Sequence, residues 1–95
     1  MASQKIKVEL KFERRNDGRY YVTSDDVPGF RMVGTDIDAI QNDLEEVVRD
    51  LLRLNSNFVV EEFVWVPSLD EAKRHLQKPV PQGRAIYLVS GSVAA

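Results

Sequence analysis

The stretch KIKVELKFERRNDGRYYVTS, residues 5–24, decides how this chain begins to fold. Ile6, Val8, Leu10 and Phe12 alternate with Lys5, Lys7, Glu9, Lys11 and Glu13. One side of an extended chain is then apolar and the other charged, the period-two pattern of a strand with one wet face. Arg15-Asn16-Asp17-Gly18 interrupts it, and Asn, Asp and Gly tolerate the positive φ of a tight reversal. A second strand over 19–24 therefore returns antiparallel to the first. Asp25, Asp26, Pro28 and Gly29 break the pattern again, and Phe30 to Val33 resume it as a short third strand. The predicted opening is a three-stranded meander.

Thr35-Asp36-Ile37-Asp38 has the hydroxyl-x-x-acid form of a helix start. Ile37, Ile40, Leu44, Val47, Val48, Leu51 and Leu54 recur at steps of three and four, a stripe suited to cover the dry face of the sheet over a helix from 36 to 54. Asn55-Ser56-Asn57 offers a left-handed helix end. Phe58 to Val66 (FVVEEFVWV) is the most strand-like segment, reached through a helix long enough for a right-handed crossover. Plain alternation places Phe58, Val60, Val64 and Val66 on one face and Val59, Phe63 and Trp65 on the other, so both faces need cover. Ser68-Leu69-Asp70-Glu71 is a second capping box, opening a short helix through Gln77 that Pro79 ends. Pro79 to Gly83 reads as a linker, Arg84 to Val89 as one more short strand, and the remainder as a Gly/Ser/Ala tail. The expected class is α+β in the order β-β-β-α-β. One helix packs on one face of a small mixed sheet, with a short C-terminal helix and strand added; residues 1–78 form the domain and 79–95 no separate one.

Ninety-five residues suffice for one hydrophobic core. With 43% hydrophobic and 29% charged residues the chain has enough apolar content to collapse. No apolar run nears the ~20 residues of a bilayer span, so no membrane partner is expected. The first residues lack the apolar core of a secretory signal, and the absence of cysteine excludes disulfides, a thiolate nucleophile and a cysteine-type zinc site. A cytoplasmic location follows as the expectation. A net charge of -2 argues against autonomous nucleic-acid binding, which draws on a basic excess.

The run from Gly18 through Tyr20, Val22, Thr23-Ser24-Asp25-Asp26-Val27-Pro28-Gly29 to Phe30, followed by a short strand, a capped helix ending Leu51-Leu52-Arg53-Leu54-Asn55 and an apolar strand, resembles the HicB-like domains. In that superfamily a hairpin carrying G-x-[YW]-x-[VA] leads into an Asp-[LV]-Pro-Gly corner, matched here by Gly18, Asp25, Asp26, Pro28 and Gly29. The likeness covers 5–66 and is nearest to a branch of stand-alone domains. It implies a partial ribonuclease-H-like fold, used in the antitoxins to bind and block a small HicA-type RNA-cleaving toxin. The antitoxins add a helix-turn-helix or ribbon-helix-helix module for operator DNA. The residues after Pro79 are too few and too poorly patterned for one, so sequence-specific DNA binding is not expected.

Metal-assisted phosphodiester cleavage needs carboxylates converging from strand and helix. Glu9, Glu45 or Glu46, and Glu61 or Glu62 occupy suitable elements, but the helix pair points away from the sheet and Glu9 sits between Lys7 and Lys11. His75, the only imidazole, stands beside Lys73 and Arg74 with no Ser or carboxylate in triad order. Asp25 and Asp26 read as turn formers. Lys5, Lys7, Lys11, Arg14 and Arg15 make a basic strand face, and Tyr20, Tyr21, Phe63 and Trp65 read as core or interface aromatics rather than base-stacking platforms. No catalytic residue, cofactor or metal is assigned. The expected function is a non-catalytic, antitoxin-like protein-binding module; the alternative is a self-associating protein with a small-ligand pocket, or less favourably one that binds RNA. Val59, Phe63, Trp65, Ile86, Tyr87 and Leu88 are the interface candidates for a homodimer, with Pro79 to Gly83 as an arm for exchange.

Overall fold

The computed structural model of the protein describes residues 3–94 and folds the opening as the meander that the alternation predicts. Strand β1 (Gln4–Arg14) pairs antiparallel with β2 (Tyr20–Thr23), Phe12 opposite Val22. Gly18 takes φ +83 and its N–H donates to the Arg15 carbonyl, closing the turn. Strand β3 (Arg31–Gly34) pairs antiparallel with β2, Val22 opposite Met32.

Helix α1 (Ile37–Ser56) is capped by Asp36 and not, as the Thr35 box suggests, by the threonine: the Asp36 carboxylate accepts from the N–H groups of Asp38 and Ala39. An aspartate there also opposes the positive helix end. The helix stops where Asn57 turns left-handed (φ 53) and its N–H reaches the Arg53 carbonyl. Ile40, Leu44, Val48 and Leu52 form the buried row. Leu54, counted in the predicted stripe, is 80% exposed, because two residues beyond Leu52 the helix has turned by about 200°.

Strand β4 (Phe58–Val66) follows, then α2 (Leu69–Lys73) and β5 (Gly83–Val93). Ser68 and Glu71 make the expected capping box. The helix ends at Lys73 rather than Gln77, since His75 adopts φ 55 and its N–H turns back to the Ala72 carbonyl.

The strand order is β3-β2-β1-β5-β4, and every ladder is antiparallel. The expected mixed sheet is thereby corrected. β1 and β4 do run the same way, but β5 enters antiparallel between them and replaces one parallel pairing by two antiparallel ones. The residues read as a short strand and tail are a single 11-residue central strand. Ala85, Tyr87 and Val89 are buried with Val8, Leu10, Phe12 and Val22. Gly91 continues that side because any Cβ would run into the Val59 carbonyl oxygen and lie 2.8 Å from the Phe58 ring. Among the described residues no helix is long and apolar enough to cross a membrane.

Candidate functional site

Alternation along β4 breaks where its register against β5 shifts between Val60 and Glu62, leaving Glu61 as the extra residue of a bulge. Phe58 and Val60 are buried beneath α1. Beyond the bulge Phe63 and Trp65 take the same side, opposite Val89 and Tyr87. Val59, Val64 and Val66 are exposed on the other side. The predicted grouping of Val64 and Val66 with Phe58, and of Phe63 and Trp65 with Val59, is therefore wrong: one inserted residue flips every side chain after it.

Two surfaces result. On the helix side α1 is tied to β4 by the Arg49 guanidinium, which donates to the Val60 carbonyl at 2.7 Å and pairs with Glu45 at 3.0 Å. From there the helix runs about 12 Å to Gln41 and the strand about 16 Å to Trp65. Between them lies a cleft of about 470 Å³. Phe63 and Tyr87 stack on its sheet wall, ring centroids 4.7 Å apart. The segment Gln77, Lys78 and Pro79 edges the cleft and is held to α1: Gln41 Nε2 donates to the Pro79 carbonyl at 2.9 Å, and Lys78 pairs with Asp38. Gln41 Oε1 and Trp65 Nε1 are buried in this cleft with no protein hydrogen-bond partner. Burial, with the Glu71 carboxylate adding in the same direction, pushes the Tyr87 phenol well above its ordinary pKa. Glu71 itself is held below the usual carboxylate range, chiefly by the Ser68 backbone N–H.

On the helix-free side Ile86 and Leu88 of β5 lie opposite Val66 and Val64 of β4, an exposed apolar band bordered by Lys7 and Glu9 of β1. β4 is the edge strand, and its middle carries Glu61 and Glu62. Of the interface candidates, then, Val59, Ile86 and Leu88 belong to this open face, whereas Phe63, Trp65 and Tyr87 line the cleft behind it.

The Ser-Asp-Asp corner has a structural task. β2 leaves β1 after Lys11, and at Glu9 the Ser24 hydroxyl donates to the backbone carbonyl (2.8 Å) while the Asp26 carboxylate accepts from the N–H (2.8 Å). Val27 and Phe30 are buried, Gly29 takes φ +82, and Asn55 donates to the Pro28 carbonyl. A neighbouring hollow of about 320 Å³, lined by Glu9, Lys11, Asp25 and Arg84, has Arg84 and Glu9 paired at 3.0 Å. Glu9 and Glu45 thus lie on opposite sides of the sheet, and no three acidic or imidazole groups gather among the described residues. Arg15 stacks over Tyr21 at 4.1 Å and Arg14 over Tyr20 at 5.7 Å, which accounts for part of the basic cluster and both tyrosines.

Sequence reasoning missed Gln41, Arg49 and the edge formed by 77–79. The available signal was Gln41 itself, an uncharged polar residue three positions before Leu44 on the flank of the apolar stripe. No family model, curated protein or solved structure matches this chain.

Proposed function

We propose that the chain is a non-catalytic protein-binding module that receives a strand of a basic partner protein along the free edge of β4. The observation that carries this reading is the composition of that edge: nine residues, with Val59, Val64 and Val66 exposed beside Ile86 and Leu88 and with Glu61 and Glu62 at the middle. An edge strand offers unpaired N–H and C=O groups to an incoming strand, and flanking apolar positions seat alternate side chains. Two adjacent carboxylates favour a basic partner and raise its association rate. They also disfavour symmetric pairing of two β4 strands, which would set glutamates near glutamates across the two-fold. The resemblance to HicB-like domains points the same way: an antitoxin-like module of the cytoplasm that blocks a small, basic HicA-type toxin. On this reading the sheet is a partial ribonuclease-H-like sheet with β5 inserted between its first and fourth strands. Homodimerisation through the apolar band is a second reading, favoured by the contiguity of Val64, Val66, Ile86 and Leu88.

The test pairs the purified chain with the product of a short basic reading frame beside its gene, reading both complex formation and protection of RNA from cleavage. Val64→Glu, or reversal of Glu61 and Glu62 to lysine, is expected to weaken the complex at least tenfold, by roughly the 1.4 kcal/mol or more that such a factor represents. Binding indifferent to both changes would remove β4 from the interface.

A further inference from the structure

We propose that the cleft between α1 and β4 is a small-molecule site for a planar, uncharged heterocycle bearing both a hydrogen-bond acceptor and a donor, of the size and polarity of a nucleobase or nicotinamide. At about 470 Å³ the cleft lies within the range of ligand pockets. Its sheet wall is aromatic, with Phe63 stacked on Tyr87 and Trp65 beside them. Two polar atoms of its lining residues lack protein partners, one from each element: the Trp65 Nε1 donor on β4 and the Gln41 Oε1 acceptor on α1. An unsatisfied buried polar group is destabilising, and here two of opposite character belong to residues that line one cavity. Both atoms are closed to water in this structure, so a ligand that accepts from the indole and donates to the amide reaches them through a small shift of the two side chains and buries its ring between α1 and β4.

The charges at the rim argue for a neutral ligand. Arg49 is paired with Glu45 and donates to Val60, and Lys78 is paired with Asp38. Neither cation is free to meet an anion without breaking an existing contact. The placement of Gln41 also links occupancy to the segment above, since its Nε2 holds the Pro79 carbonyl while its Oε1 has no protein partner. The cleft lies on the face of the sheet opposite to the one that carries Val64, so the two readings part at that residue.

Trp65 is the sole tryptophan, so its indole N–H gives one resolved signal in a ¹H–¹⁵N spectrum of the full chain. Adenine, uracil and nicotinamide are titrated as probes, with benzene as a ring lacking polar groups. The expected result is a saturable downfield displacement of that signal by at least one of the three, with benzene binding at least fivefold more weakly. Gln41→Leu should lower affinity for the same probe fivefold or more. Trp65→Phe, followed through the probe's own resonances, should do likewise while Val64→Glu changes nothing. No displacement by any of the three up to millimolar concentration, equal binding of benzene, or full affinity in both Gln41→Leu and Trp65→Phe would overturn the assignment.

Discussion

Glu9 shows how a side chain can stand in for a strand. The β1–β2 ladder ends at Lys11 and Thr23, and the next backbone pairing would bring residue 25 to Glu9. Ser24 and Asp26 supply the missing donor and acceptor instead, one to each backbone group of Glu9. The chain can then turn away through Val27, Pro28 and Gly29 without leaving β1 unsatisfied at that point. Ser24→Ala is therefore expected to destabilise the fold by about 1–2 kcal/mol, with Ser24→Thr recovering most of it, as read from the midpoint of urea unfolding. A midpoint unchanged by the alanine would show that water serves Glu9 equally well. That the corner is a turn was legible from Asp, Pro and Gly. Its partner was not, because nothing local ties residue 24 to a backbone group 15 positions earlier.

At the scale of elements, β4 separates what periodicity tells from what it hides. FVVEEFVWV is legible as a strand, but strict alternation assigns its faces incorrectly after Val60, since a bulge adds one residue to the count. The trace of the bulge is the Glu61-Glu62 pair: two consecutive charges, with apolar residues at 58 and 60 before them and at 63 and 65 after them. The bulge also blunts a long exposed edge. Deleting Glu61 should therefore restore even alternation with Phe58, Val60, Phe63 and Trp65 all on the core side and with the ladder to β5 in its present register. We expect unshifted tryptophan emission and a change in stability within about 1 kcal/mol, with a flatter exposed edge that is more prone to pair with other chains. A red-shifted emission with a loss of about 3 kcal/mol or more would mean that the extra residue is needed to place the side chains beyond it. The helix, its left-handed end at Asn57 and its apolar row apart from Leu54 needed no such correction, because a 3.6-residue period carried over five turns averages out a local irregularity.

For the molecule as a whole, the order of strands turns on the last segment, where local signals were weakest. RAIYLV reads as a strand, yet Ser90, Gly91 and Ser92 carry little strand propensity, and their inclusion in β5 follows from packing. Gly91 admits the Phe58 ring, and the strand as a whole joins the meander on one side to the α1–β4 unit on the other. Without β5, β1 and β4 would each lose their full-length ladder, and the core would lose Ala85, Tyr87 and Val89 together. α1 packs on β4 and β3, which leaves little else to hold the halves in register. Burying three apolar or aromatic residues contributes several kcal/mol, a large share of the roughly 5–10 kcal/mol net stability of so small a domain. Removal of residues 83–95 should therefore abolish cooperative unfolding, rather than merely loosening an assembly of folded subunits. Circular dichroism through a thermal ramp, with dispersion in the ¹H–¹⁵N spectrum, checks this directly. A truncated chain that still melts in one sharp transition would show that the remaining strands can close the sheet without β5.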